Sequence, residues 1–352
     1  KIILIALLLS ICFSQRNLFK SHPYATLGTN QDLTASASSG DIDGDGDLDI
    51  IVANGRHWSQ QNQIFYNDGK GFFRRSRPLG SEQNTTYQVP LADIDNDGDL
   101  DIIVANDRIE NQVFKNDGDG NFTFDHYFGM KESNTRGLCI TDLNQDGFVD
   151  IVVANRKSQN YIYFNNSKGY FSKGKPFGNS DEATINIASA DLNQDGHIDL
   201  VLANRNSQPN KIYFGPNFEQ SFLFGENNNE TRGVAIEDMN QDGFLDIIAV
   251  NIGDKNRIYF GNGSGKFARS IFFGKTSDAT MAVIIGDLDN DGIAISNGSA
   301  CSSGTISPSP VLKAMGISDE DNLSTLRISF GRSNTKDDIH QLVKEIGLII
   351  ND

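Results

Sequence analysis

The chain has 352 residues, 38% hydrophobic and 22% charged, with 34 Gly, 23 Phe and only 8 Pro. That length suits about two domains or one repeat architecture, and the composition excludes a disordered tail or a membrane bundle. Lys and Arg total 30 against 46 Asp and Glu, a formal net charge of -16, which argues against broad nucleic-acid or anionic-lipid binding and favours cations as partners.

Residues 1–14, KIILIALLLSICFS, form a Lys-led apolar run of signal-peptide length, shorter than the ~20 residues that span a bilayer. The expectation is a partial secretory leader, cleaved near Ser14, and a secreted protein with no membrane span. Cys12, Cys139 and Cys301 are too few and too scattered for a disulfide framework or a Cys-rich metal site. Stability must therefore come from packing and bound ions.

After residue 40 the chain repeats itself. Six acidic loops read DIDGDGDLD (41–49), DIDNDGDLD (93–101), DLNQDGFVD (142–150), DLNQDGHID (191–199), DMNQDGFLD (238–246) and DLDNDG (287–292). Their starts lie 52, 49, 49, 47 and 49 residues apart, a propeller-sized period. The first five run into DIIVAN, DIIVAN, DIVVAN, DLVLAN and DIIAVN, predicted as buried inner strands. A hairpin phrase follows, as in NQIFYNDGKGFF (62–73) and NRIYFGNGSGKF (256–267), where an aromatic-rich strand meets an Asn/Gly turn and returns. A further segment before the next acidic loop, such as TRGLCITDLN, reads as the fourth strand that completes the unit. Four short strands per period make one blade, so residues 25–292 are expected to be an all-β propeller of about five complete blades plus a partial sixth.

Positions 1, 3, 5 and 9 of loops one to five are all Asp or Asn, with Gly at position 6. Calcium takes six to eight oxygens, and a glycine there permits the turn that gathers alternate side chains and the position-7 carbonyl onto one ion. Loop one offers Asp41, Asp43, Asp45 and Asp49 with the Asp47 carbonyl; loop two offers Asp93, Asp95, Asp97 and Asp101 with the Asp99 carbonyl. The remaining sets are Asp142, Asn144, Asp146 and Asp150; Asp191, Asn193, Asp195 and Asp199; and Asp238, Asn240, Asp242 and Asp246. One fewer carboxylate should weaken these three. Loop six keeps Asp287, Asp289 and Asp291 but has Ile295 at position 9, so five complete Ca2+ sites and an incomplete sixth are expected. The six loops hold 22 of the 46 acidic residues, and six divalent ions would move the formal charge from -16 to about -4. Folding and calcium should be coupled.

An EF-hand would need Glu at position 12 and a following helix; Val52, Val104, Val153, Leu202 and Ala249 stand there instead. The constellation resembles the FG-GAP family of VCBS-type repeats, found in integrin α-chain heads and many secreted proteins. That resemblance implies a binding or adhesion module. Five Asn-X-Ser/Thr sequons, at Asn84, Asn121, Asn165, Asn229 and Asn262, fit a secreted glycoprotein. Cys139 reads as a buried small hydrophobe, His197 as a carbonyl donor only, and Trp58 as a packing residue.

From Ile293 the pattern changes to a strand, a small-residue loop with Cys301, a helix near 308–315, a strand near 325–330 and a helix from Thr335 to about 346. This small α+β segment, residues 293–352, resembles the C-terminal end of NifS/IscS-like cysteine desulfurases of the class V aminotransferase family, through NGSACSSG and LRISFGR. The resemblance implies Cys301 as the persulfide-forming thiol and Arg327 as the substrate-carboxylate clamp. No His-Lys dipeptide occurs in the chain, so the family's Schiff-base lysine has no counterpart. Pyridoxal phosphate therefore belongs to the parent of the tail and is not expected to bind here. The change at Gly292–Ile293 is expected to be a junction with a separate coding sequence; the rival reading is a real fusion whose tail only packs against the unfinished blade.

The reading is a secreted calcium-binding β-propeller without catalytic activity, engaging an unknown protein or glycan ligand on one face. The alternative is a desulfurase fragment that lends Cys301 to a separate large domain.

Overall fold

The computed structural model describes residues 27–28, 32–171, 173–225, 230–240, 242–273, 279–285, 293–295 and 328–330. Five antiparallel sheets follow one another along the chain. The first runs β1 (Thr34–Gly40), β2 (Asp49–Asn54), β3 (Gln63–Tyr66), β4 (Arg75–Pro78). The second holds β5 (Thr86–Gln88) and β6 (Leu91–Ala92), both paired with β7 (Asp101–Asn106), then β8 (Asn111–Asn116) and β9 (Phe122–Phe128). The third is β10 (Thr135–Thr141), β11 (Asp150–Asn155), β12 (Asn160–Tyr163), β13 (Gly174–Phe177). The fourth is β14 (Thr184–Ala190), β15 (Asp199–Asn204), β16 (Asn210–Tyr213), β17 (Ser221–Phe224), and the fifth β18 (Thr231–Glu237), β19 (Asp246–Asn251), β20 (Asn256–Phe260), β21 (Arg269–Phe273). The first strands of neighbouring sheets lie against one another, which places them innermost and makes each sheet a blade of a β-propeller.

One boundary differs from the sequence reading. The segment before each acidic loop opens the next blade instead of closing the previous one, so the loop joins the first and second strands of one sheet. The reason is pairing: Gly40 lies opposite Asp49, and Thr141 opposite Asp150, directly across the loop. A further copy of this segment begins at Thr280, whose N–H donates to the Asn251 carbonyl. Gly233 approaches the Ala282 and Val283 backbone, as Gly137 approaches Ile185 and Asn186.

The DIIVAN-type strands have no polar alternation because both faces are buried between blades. In β7, Ile102 and Val104 pack towards blade one with Ile51 and Ala53, while Ile103 and Ala105 pack towards blade three with Ile151 and Val153. The second residue of each loop, Ile42, Ile94, Leu143 or Leu192, is wedged into the same interfaces. Each fully buried Ile or Leu contributes about 2 kcal/mol of transfer free energy.

A buried polar relay stitches the blades at their other end. Asn160 Oδ1 accepts from the Asn155 N–H, and Asn160 Nδ2 donates to Thr184 Oγ1 of the next blade. Thr184 Oγ1 donates to Asn204 Oδ1, and Asn210 then repeats the pattern towards Thr231. Asn62 to Thr86 and Asn256 to Thr280 are further copies.

Beyond the blades, β22 (Ile293–Ile295) pairs antiparallel with β23 (Ile328–Phe330), matching the two strands expected in the tail. The helices expected near 308–315 and 335–346, the leader at 1–14, Cys301 and Arg327 all lie outside the described residues. Trp58 is 70% exposed, contrary to its reading as a packing residue; it sits in a tight turn where its N–H donates to the Gly55 carbonyl. Cys139 is part-buried against the core of blades three and four, its Sγ 3.2 Å from Ser189 Oγ, and burial pushes the thiol pKa up.

Candidate metal centres

Each acidic loop is a turn built from its own side chains. Position 6 has a left-handed backbone, with φ of +90° at Gly46, +100° at Gly98 and +87° to +89° at Gly147, Gly196 and Gly243. Only glycine adopts this readily. The residue at position 4 is also left-handed, as Gly44, Asn96, Gln145 and Gln194, a feature the ligand pattern does not reveal.

The position-1 carboxylate holds the turn closed. Asp41 accepts from the Gly44 and Gly46 N–H groups, Asp93 from Asp97 and Gly98, and Asp142 from Asp146 and Gly147. Asp191 and Asp238 repeat this with Asp195, Gly196, Asp242 and Gly243. Asp45, Asp97, Asp146, Asp195 and Asp242, at position 5, each accept from the N–H two residues on.

Position 9 is fully buried and serves as a bolt between the loop and the blade's third strand. Asp150 accepts from the Leu143 and Asn165 N–H groups, Asp199 from Leu192 and Gly215, and Asp246 from Met239 and Gly261. Asp49 does the same with Ile42 and Asn67, and Asp101 accepts from Asn116. Burial lifts the pKa of Asp101, Asp150 and Asp199 to about 6, against these hydrogen bonds, which pull it down. The sequence marks position 9 as a ligand; the structure adds this bolting role.

Position 3 differs between the loops. In loop one, oxygens of Asp41, Asp43 and Asp49 lie within 4.8 Å of one another, and in loop two so do those of Asp93, Asp95 and Asp97. Asp43 Oδ1 and Asp95 Oδ1 are buried without any hydrogen-bond partner. A solvent-shielded carboxylate oxygen with no donor is costly, and a hard cation at that point would satisfy it. In loops three and four the Asn144 and Asn193 amides instead donate to Asp146 and Asp195, leaving an all-oxygen set through their Oδ1 atoms. Asn240 Oδ1 accepts from the Asp242 N–H. The position-7 side chains of Asp47 and Asp99 reach towards Gly69 and Gly118 of the adjoining hairpin turns. Asp287, Asp289 and Asp291 lie outside the described residues.

In loop one Arg75 Nη1 lies 3.6 Å from Asp43 Oδ2, and loop two holds a closer cation at the same position. Lys115 forms an ion pair with Asp95 and also donates to the Lys168 carbonyl. The equivalent positions are Tyr66, Phe164, Phe214 and Phe260. Lys115 thus sets a resident cation beside a ligand oxygen.

The repeating geometry has a counterpart in known sequences. A model described as FG-GAP-like repeat matches residues 41–104, 93–153, 142–202, 191–249 and 238–294. The chain belongs to the FG-GAP-like repeat family. Towards the end of its FG-GAP-like repeats, residues 269–342 match a second model, Aminotransferase class-V. Cysteine desulfurase IscS of Vibrio atlanticus is 42% identical over 59 residues, 17% of this chain and 15% of that protein. The IscS of Buchnera aphidicola subsp. Schizaphis graminum is 50% identical over 54 residues, 15% and 13% of the two chains. The chain thus spans about one seventh of the length of these curated relatives. Among solved structures, BBS1N in complex with ARL6DN superimposes with a TM-score of 0.50 at 12% identity, over 76% of this chain and 77% of that one, a likeness of fold. No helix among the described residues is long and apolar enough to cross a membrane.

One sequon is corrected. Asn165 is buried, and its Nδ2 donates to the Ile94 and Val149 carbonyls, so that nitrogen cannot carry a glycan in this fold. Asn229 lies outside the described residues.

Proposed function

We propose that this chain is a secreted, calcium-braced propeller that acts as a binding or adhesion module and has no catalytic activity of its own. The observation that carries the calcium reading is the pair of buried, donorless oxygens, Asp43 Oδ1 and Asp95 Oδ1, inside acidic loops. Asp41, Asp43, Asp45 and Asp49 would hold one ion and Asp93, Asp95, Asp97 and Asp101 another. The three Asn-containing loops would hold ions more weakly. The ion supplies charge compensation at the ends of the inner strands, where like charges otherwise oppose folding. Loops on one face of the propeller, fixed by the stacked sheets, are then free to present side chains to a protein or glycan.

The test is thermal unfolding of the full chain in calcium and in excess chelator. A fall in Tm of 10 °C or more on chelation is the expected result; an unchanged melt removes the metal reading.

A second reading rests on the 42–50% identity of the tail to IscS proteins. Under it, Cys301 would act as a sulfur acceptor for a separately encoded large domain, with Arg327 as carboxylate clamp. Sulfide release from cysteine, after adding pyridoxal phosphate and a desulfurase chain truncated before its own tail, would favour it. Silence of that mixture would leave the tail a fragment without activity.

A further inference from the structure

The blade ends opposite the acidic loops carry a group of arginines that the calcium reading leaves without a use. Each first strand has a bulge directly after its opening threonine, so that Ala35, Tyr87, Arg136, Ile185 and Arg232 are the extra residues. A bulge breaks the ladder and re-aims the side chain it carries. A second set follows the second strands: the N–H groups of Arg56, Arg156 and Arg205 donate to the carbonyls of Leu33, Asn134 and Ala183. Both sets lie one strand length from the acidic loops, about 20 Å for seven residues.

The first strands of neighbouring blades pack against one another, so Arg136 and Arg232 on those strands, and Arg56, Arg156 and Arg205 just after the second strands, fall at the same end of the propeller. Their charges act on one another. Arg232 is pushed down to about 10 by burial and then by Arg205, Arg56 and Arg156. Arg156 is lowered by burial and then by Arg205 and Arg136.

Two of the five are neutralised. Arg136 Nη1 lies 2.7 Å from Asp107 Oδ1, with its guanidinium 4.1 Å from the centre of the Tyr87 ring. Arg205 Nε lies 2.9 Å from Glu230 Oε2. Arg156 reaches only the neutral Asn206 Oδ1, at 3.1 Å through Nη2. The Nε atoms of Arg156 and Arg232 are shielded from solvent and have no hydrogen-bond partner. Among the described residues neither guanidinium forms an ion pair. Glu230, already paired with Arg205, is the acidic group that acts on both, and buried donors without acceptors beside further arginines are costly.

We propose that Arg156 and Arg232 form an anion site at the axial end opposite the acidic loops, and that it takes a carboxylate of a partner molecule. The carboxylate class follows from the neighbours: Arg136 and Arg205 are already matched by Asp107 and Glu230, and an incoming carboxylate repeats that pairing at the two open forks. Guanidinium recognises such a group through two parallel N–H donors. Both side chains are part-exposed, which leaves the ligand a route. This site deepens the binding-module reading and rests on it for its use, but it does not depend on calcium occupancy.

The test is titration of the full chain with succinate, in calcium-containing buffer, followed by isothermal calorimetry and by the arginine 15Nε–1H resonances. Calcium binding is measured on the same sample, so that failure of the metal reading registers separately. Saturable binding that shifts the Arg156 and Arg232 Nε signals is expected. Arg156→Gln and Arg232→Gln should each weaken it at least about tenfold, while Arg74→Gln, in the turn just before the outer strand β4, leaves it unchanged. Absence of saturable binding, or unchanged affinity in both variants, overturns the site. Tighter binding of sulfate than of succinate overturns the carboxylate assignment. If the variants fail to fold, the resonance shifts in the unmodified chain still decide.

Discussion

Gln194 donates from Nε2 to the main-chain carbonyl of Gly243, 3.2 Å away, tying the fourth acidic loop to the fifth. Asn96 makes the same bond to the Gly147 carbonyl at 3.1 Å, and Gln145 to that of Gly196. Each donor occupies position 4 and each acceptor position 6 of the next loop, so loops two to five form a chain of neighbours. Loop one has Gly44 at position 4 and lacks the link. Metal-loaded loops held in this way should reinforce one another across blade boundaries.

Replacing the donor isolates that effect. Gln194→Ala should lower unfolding free energy by about 1 kcal/mol, the worth of an ordinary intramolecular hydrogen bond. In calcium the loss should exceed that seen in chelator, because only ordered loops present the acceptor. Equal losses in the two buffers would show that the bond does not couple the sites. Denaturant titration of both proteins in both buffers supplies the comparison.

The buried relay at the opposite blade ends gives a larger effect. Asn160 serves three groups at once: the Asn155 N–H, Thr184 Oγ1 and Glu182 Oε2. Asn160→Ala removes all three bonds and leaves buried polar atoms unmatched, an expected cost of about 3 kcal/mol. Thr184→Val, which keeps the shape of the side chain but deletes the shared hydroxyl, should cost about half as much. A loss below about 1 kcal/mol for Asn160→Ala would mean that water replaces the relay.

Much of this was legible in the sequence, and the reasons are physical. Continuous runs such as DIIVAN report a strand buried on both faces, and the left-handed turn at Gly147 or Gly196 makes position 6 a glycine in each copy. The blade boundary was not legible, because periodicity fixes the length of a repeat but not its phase. Only the pairing of Thr141 with Asp150 across the loop shows where a blade begins. The relay asparagines repeat as faithfully as the ligands, yet an Asn at a strand end reads as a turn former until its partners are placed. Asn165 shows the converse: it satisfies a sequon on paper, but its amide is spent on two backbone carbonyls.

Lys115 stands closer to the position-3 carboxylate of loop two than Arg75 does to that of loop one. Its ammonium pairs with Asp95, which the cation also needs, so binding must displace it. Lys115→Phe, the residue found at 164, 214 and 260, removes the competitor. Calcium affinity of loop two should rise about tenfold, corresponding to roughly 1.4 kcal/mol. Site-resolved titration against an Asp93→Ala background, in which loop two is silenced, identifies the loop responsible. An unchanged or lower affinity in Lys115→Phe would mean that the ion pair organises the site and does not compete with it.

The buried position-9 carboxylates predict opposite pH responses with and without metal. Burial lifts Asp101, Asp150 and Asp199 from 3.8 to about 6 in the metal-free fold. The folded chain then binds these protons more tightly than the unfolded chain, so stability declines as pH rises from about 4 to 6 and stays low above that. Acidifying from pH 7 to pH 5 in chelator should therefore raise Tm. Calcium reverses the sign, because the ion favours the ionised carboxylates and protons compete with it for the loops. In calcium the same acidification should lower Tm, and the two melting curves should approach each other near pH 5. Parallel Tm profiles in the two buffers would show that these carboxylates are bolts alone and take no part in holding the ion.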